Sequence, residues 1–205
     1  MKHIPIKELG LQHYSDILNN MYTHIAHNKP CEIWVLEHYP IYTKGRRSLD
    51  EHFLTPTHIP IIDTDRGGQV TYHGPGQMII YPILQLKIWQ LSPLDLVCIL
   101  ENTTITALKS LGIPSTNNLD ARGVYIHNNK VGSIGLKIKS GYSYHGMAIN
   151  IDMDLSPFDA IIACGDQDIK LTNISSYSDL HSKFKHIWLN IFVANLVTKR
   201  YTEVD

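Results

Sequence analysis

Residues 121–152 read ARGVYIHNNKVGSIGLKIKSGYSYHGMAINID, and this stretch decides the fold class. Val124 to Ile126 are β-branched or aromatic and lead into a polar run, His127-Asn128-Asn129-Lys130, that reads as a turn. Val131 to Leu136 then resume an extended pattern, and Tyr144 to Ile151 supply another strand in which Gly146 permits close approach of a neighbouring backbone. Outward from this strand-rich centre the period changes. Tyr14, Ile17, Leu18, Met21 and Ile25 recur at helical spacing between Gln12 and Asn28, and Cys31 to Leu36 follow as a strand. His38 to Phe53, with Pro40, Gly45, Lys44, Arg46 and Arg47, is expected to be loop. A second helix opens at Ser92, where Pro93 fits the first helical position and Asp95 completes a capping box. Val97, Leu100, Thr104, Leu108 and Leu111 continue one of its faces.

C-terminal to the centre, Ser156-Pro157-Phe158-Asp159 repeats the capping pattern and opens a short helix that ends before Cys164. Ala163-Cys164-Gly165 then reads as a bend. A last helix is expected from about Ser178 to Leu196, with Leu180, Phe184, Ile187, Trp188 and Ile191 as its apolar stripe. The resulting class is α+β, a mixed central sheet flanked by helices, with a main unit over 1–155 and a smaller C-terminal unit over 156–205.

Composition excludes several classes. A chain of 205 residues, 43% hydrophobic, can bury a sizeable core. Its 18 Lys and Arg against 19 Asp and Glu give no bulk charge that would draw a nucleic acid. Apolar runs such as Met78 to Tyr81 fall far short of the roughly 20 residues needed to cross a bilayer, and the N-terminus lacks the apolar stretch of a secretory signal, so a cytoplasmic address is expected. Cys31, Cys98 and Cys164 are too few and too scattered for a disulfide framework. The histidines show no ligand spacing, so no metal and no cofactor is expected, and nothing marks an oligomerisation element, which favours a monomer.

The most unusual run is Arg66-Gly67-Gly68-Gln69-Val70-Thr71-Tyr72-His73-Gly74-Pro75-Gly76-Gln77. Its glycines let backbone amides approach a ligand, and Arg66, Thr71, His73 and Gln77 offer polar contacts, so it reads either as a binding turn or as a structural hairpin. It is neither a Walker A loop, since the Lys-Ser or Lys-Thr ending is missing, nor a GxGxxG dinucleotide loop. Ser133-Ile134-Gly135 and His145-Gly146-Met147-Ala148 are small-residue strips able to wall an acyl tunnel or simply to pack strands closely. Cys98 lies inside a helix and is a packing residue. Cys164 lies at a bend beside Gly165, where a thiol could accept an acyl group, and Lys130 could exchange its proton if the fold brings the two together.

Taken in order, these blocks resemble the lipoyl(octanoyl) transferase family. The resemblance begins at Tyr42-Thr43-Lys44-Gly45 and passes through Arg66 to Gln77, Lys130 to Lys137 and Tyr144 to Asn150. It ends with Met153-Asp154-Leu155-Ser156-Pro157-Phe158 ahead of Ala163-Cys164-Gly165. It implies a fold like the catalytic domain of biotin and lipoate protein ligases. It also implies octanoyl transfer from octanoyl-acyl-carrier-protein, through a Cys164 thioester, to a lysine on lipoyl domains of 2-oxoacid dehydrogenase complexes and of glycine cleavage H protein. Lys130 matches the family's catalytic lysine; Arg66 to His73, Ser133 to Gly135 and Gly146 to Ala148 match its substrate-binding segments. Ala163 stands where a proline is frequent, and Asp166-Gln167-Asp168 replaces a tyrosine-and-glycine pattern. Two other readings are an ATP-dependent lipoate or biotin protein ligase and a non-catalytic lipoyl-domain binding protein.

Overall fold

Nine consecutive residues, Tyr142–Asn150, are all buried and form the strand around which the molecule is built. The computed structural model describes residues 4–201. In chain order its strands are β1 (Ile6–Gln12), β2 (Glu32–His38), β3 (Ile41–Lys44), β4 (Ile61–Asp63), β5 (Val70–His73), β6 (Gln77–Ile83), β7 (Thr116–Asn117), β8 (Val124–Ile126), β9 (Asn129–Lys139) and β10 (Tyr142–Asn150). The helices are α1 (Tyr14–Ala26), α2 (Leu86–Trp89), α3 (Pro93–Ser110) and α4 (Phe184–Tyr201).

The main sheet is mixed, in the order β1-β2-β6-β10-β9-β8-β7; β1 and β2 are parallel and the remaining neighbours antiparallel. One face is covered by α3 and α4, whose Leu96, Leu100, Leu108, Phe184, Trp188 and Phe192 pack on Ile80, Val131 and Met147. The other face carries α1, with Tyr14, Ile17, Met21 and Ile25 against Trp34, Ile79 and Tyr144. Helices on both faces explain why β6 and β10 are buried throughout rather than alternating. Where they meet, Gly146 has no room for a Cβ, which would strike Ile80 O of β6, so glycine is required for the two backbones to pair.

A second, smaller sheet in the order β4-β3-β5 lies to one side, packing Tyr42, Val70 and Tyr72 against Met153, Ile161 and Ala163. Here the structure corrects the expectation of a loop over His38 to Phe53. β2 runs through His38, and Ile41–Lys44 forms β3, which pairs with β4 and β5. Pro40 and Gly45 flank that strand instead of interrupting it; its partners are remote in sequence, so no local pattern marks it.

The expected capping box is present: Ser92 Oγ accepts from Asp95 N, and the Asp95 carboxylate accepts from Ser92 N. The second one is not. Ser156 lies inside a 3₁₀ turn, and the carboxylate of Asp154 accepts from its N–H and hydroxyl. The last helix starts at Phe184, later than expected, because Ser178 and Leu180 accept backbone bonds in short turns and Leu180 is exposed.

Candidate active site

The turn after β8 is tighter than its four polar residues suggested. His127 and Asn128 alone make it, at φ +47° and +68°, so that Asn129 and Lys130 already belong to β9. The pairing then slips: Tyr125 faces Lys130 while Val124 faces Gly132, leaving Val131 as the extra residue of a bulge that re-aims the Lys130 side chain. On its other edge Lys130 lies beyond the last β10 pairing, Ile149 with Gly132, and the segment 170–172 takes over. Lys130 N donates to Lys170 O at 2.7 Å, and its carbonyl accepts from Thr172 N at 3.0 Å. A residue that reads as a solvated turn lysine is therefore only 3% exposed.

Cys164 reaches the same place from the C-terminal side. It takes a left-handed conformation, φ +58° and ψ +10°, followed by Gly165 at φ +72°. A non-glycine residue there is strained by about 1–2 kcal/mol, and the surroundings hold it. Ile162 N donates to His52 O, Gly165 N to Ile162 O and Asp166 N to Ala163 O. A Cβ on Gly165 would lie 2.6 Å from Gln69 Nε2, so the Arg66–Gln77 run and the cysteine bend are fitted together. The outcome is a Lys130 Nζ to Cys164 Sγ distance of 3.6 Å, with Nζ also 5.4 Å from the centre of the Tyr125 ring. Among the described residues, no carboxylate makes an ion pair with Lys130.

Both side chains open into a cavity of about 890 Å³, within the range of small-molecule sites. Arg66 to Thr71, His73, Ser133 to Gly135 and Gly146 to Ala148 line it, with Ile79, Tyr81 and Ile138 among the apolar walls. Tyr72 is placed elsewhere: it points to the opposite side of β5 and packs edge-on against Phe158, with ring centroids 5.5 Å apart. Arg66 borders the cavity, yet its guanidinium is engaged by the protein. Nε and Nη2 donate to Thr43 Oγ1, Nη2 also to the carbonyls of Thr43 and Gln69, and Nη1 to Gly67 O. These bonds tie the glycine-rich loop to Thr43 of β3, and burial lowers the guanidinium's ordinary pKa.

Behind the cavity wall lies a polar network whose members come from five strands, one helix and the segments that carry Asp65, Arg66 and Thr172. Burial pushes His73 down to about 3 and His38 down to about 4, so both are neutral. Their hydrogen bonds then have one consistent direction. Thr43 Oγ1, which accepts from Arg66, donates to His73 Nε2 at 3.4 Å, and His73 Nδ1 donates to Gln77 Oε1 at 2.7 Å. Gln77 Nε2 donates to Asn150 Oδ1 and Asn150 Nδ2 to Thr172 O, the residue whose N–H holds Lys130. A second branch joins Tyr14, His145 and Asp65. The His145 hydrogen bond holds Asp65 well below the usual carboxylate range, whereas burial lowers His145 as well. Those directions fit a neutral imidazole donating from Nε2 to an ionised Asp65 at 2.9 Å, with Tyr144 OH as a further donor and Tyr14 OH at 3.4 Å from Nδ1. Tyr14, His38, Thr43, Asp65, Tyr81 and Asn150 carry no local sequence signal for this arrangement. Each is an ordinary residue of a separate element.

Residues 15–192 match the lipoyl protein ligase A/B catalytic domain. An octanoyltransferase of Salmonella paratyphi A is 43% identical over 179 residues, covering 86% of this chain and 84% of that one. One from Escherichia coli O139:H28 is 45% identical over 177 residues, covering 85% and 83%. Among solved structures, lipoate-protein ligase A bound with ATP superposes with a TM-score of 0.77 at 12% identity, covering 95% of this chain and 86% of that one. The Aquifex aeolicus biotin protein ligase in complex with biotin and ATP gives 0.59 at 13%, covering 96% and 72%. At such identities the structural likeness establishes the fold, a mixed sheet with flanking helices as in both kinds of ligase.

Proposed function

The chain belongs to the lipoyl protein ligase A/B catalytic-domain family, and from that premise we propose that it transfers an octanoyl group to a lysine amine in protein lipoylation, with Cys164 as nucleophile and Lys130 as its acid/base partner. The observation that carries this reading is the 3.6 Å approach of Lys130 Nζ to Cys164 Sγ at the wall of the cavity. The donor is octanoyl-acyl-carrier-protein. The Cys164 sulfur attacks the donor's thioester carbonyl, a new carbon–sulfur bond forms, and the carrier sulfur leaves and takes up a proton. Lys130 moves the proton from Sγ toward the departing sulfur. In the second half, the uncharged amine of a lipoyl-domain lysine attacks the acyl-Cys164 carbonyl. An amide forms, the Cys164 sulfur leaves, and Lys130 takes the amine proton. Because a thioester already carries the activation, no nucleotide is consumed.

The cavity walls support the acyl part of the proposal. Ile79, Ile138 and Met147 offer an apolar lining, and Gly135 and Gly146 border the same cavity. The 3₁₀ turn over Ala163–Gly165 carries Cys164 at the cavity wall. We place the enzyme in the cytoplasm as a monomer.

Intact-mass analysis after mixing with octanoyl carrier protein tests this. One octanoyl adduct is expected on the wild type and none on Cys164→Ser, with Lys130→Ala loading slowed by about 10²–10⁴-fold. An adduct that persists in Cys164→Ser, or an unchanged Lys130→Ala rate in both half-reactions, would overturn the assignment. Octanoylation of a lipoyl domain that needs free octanoate and ATP, and fails with the carrier thioester, would favour a ligase.

A further inference from the structure

One buried carboxylate has no part in the chemistry above. Glu101, on α3, is 0% exposed, and its oxygens accept from three donors on the segment that runs from β7 into β8. Oε1 accepts from Gly123 N at 3.0 Å; Oε2 accepts from Arg122 Nη1 at 3.0 Å and from Asn117 Nδ2 at 3.1 Å. A single helix side chain therefore ties down both ends of residues 117–123. Within that segment, Asp120, Ala121 and Arg122 border the cavity.

Gly123 connects this anchor to the lysine. Its φ of +143° is open in practice only to glycine, and a Cβ there would lie 2.5 Å from Lys130 Cε and 3.2 Å from Nζ. The Gly123 backbone is thus a wall along the Lys130 side chain, with Cys164 Sγ at the amine end. Lys130 is fixed at its own backbone by Lys170 and Thr172, but its side chain has four rotatable bonds, and only what packs along it selects the rotamer that meets the thiol.

We propose that Glu101 is a positioning residue for Lys130. It holds the N–H of Gly123, and with it the wall that aims Nζ at Cys164, and it touches neither substrate nor reacting atoms. A buried carboxylate with three donors is a costly way to fill a helix face, since apolar residues of similar volume are often neutral or better for stability. What the carboxylate supplies is a fixed place for one backbone amide. The inference rests on the Cys164 and Lys130 roles given above.

The test measures acyl loading from octanoyl carrier protein in wild type, Glu101→Gln, Glu101→Ala, Lys130→Ala and the Glu101→Gln/Lys130→Ala pair, together with the pH profile of Cys164 alkylation by iodoacetamide. Glu101→Gln is expected to lose about 10–100-fold in kcat, with KM for the donor within about twofold. Its alkylation profile moves toward that of Lys130→Ala, and adding Glu101→Gln to Lys130→Ala costs nothing further. A Glu101→Gln protein that melts lower yet loads at the wild-type rate with the wild-type profile would reduce Glu101 to a structural residue. So would losses that add in the double variant. If Glu101→Ala does not fold, Glu101→Gln, which keeps the shape and one acceptor, decides. A wild-type rate in Lys130→Ala would sink the acid/base reading itself; a slow Lys130→Ala beside a normal Glu101→Gln would sink the positioning role alone.

Discussion

Acidification from pH 7 to 4.5 is expected to destabilise this protein through two histidines that the fold keeps neutral. Burial holds His73 down to about 3 and His38 down to about 4, against 6.5 for an unburied imidazole. Between those values the unfolded chain binds a proton at each site and the native protein does not, so stability falls as pH falls. At pH 5.5 the unfolded state carries about 0.9 proton more per histidine, and at about 1.36 kcal/mol per proton per pH unit the pair gives a slope of about 2.5 kcal/mol per pH unit. Integrated from pH 7 to 4.5, the loss is about 5 kcal/mol if the two were independent. The His38 charge is itself one cause of the His73 shift, so about 4 kcal/mol is the working figure, a large part of the 5–15 kcal/mol of a typical domain. His145 is lowered by burial and acts in the same direction. Asp65 is depressed and loses its contribution only as pH falls below about 4, the ordinary carboxylate range, so it does not enter this window. The assay is urea unfolding at half-unit pH steps, followed by tryptophan fluorescence, on wild type, His73→Gln and His38→Gln. Each variant should roughly halve the slope. A wild-type slope under about 1 kcal/mol per pH unit, or an unchanged slope in both variants, would refute buried neutral imidazoles as the cause. A protonated His73 also turns a second donor toward Thr43 Oγ1 and disrupts the link between His73 and the Arg66–Thr43 end of the polar network.

Two further outcomes follow from packing. Ser92→Ala removes the side-chain acceptor of the α3 cap and should lower stability by about 1 kcal/mol in thermal or urea unfolding, leaving acyl loading unchanged. Gly146→Ala forces a methyl group against Ile80 O at the β10–β6 pairing. It should cost at least about 1–3 kcal/mol in the same assay and also slow loading, because the strip it occupies walls the cavity.

The amino-acid sequence by itself determined the α1 and α3 helices, the Ser92 cap and the strands on either side of His127-Asn128, since each rests on contacts within a few residues. It also put Cys164 at a bend, because Gly165 follows it, and the order of the motif blocks pointed to the family and hence to the Cys164–Lys130 pair. What it misjudged were features whose partners are remote. β3 exists because β4 and β5 flank it, and Lys130 is buried because a bulge and the 170–172 segment enclose it. The polar chain from Arg66 through His73 and Asn150 to Thr172, and the Glu101 anchor, were beyond any local pattern. A histidine or a carboxylate has the same identity on a surface as in a core, and only the tertiary structure decides how much water it loses and which donors replace that water. Local backbone preference is written in neighbouring residues, whereas burial, and the proton affinities and side-chain directions that burial sets, belongs to the assembled fold.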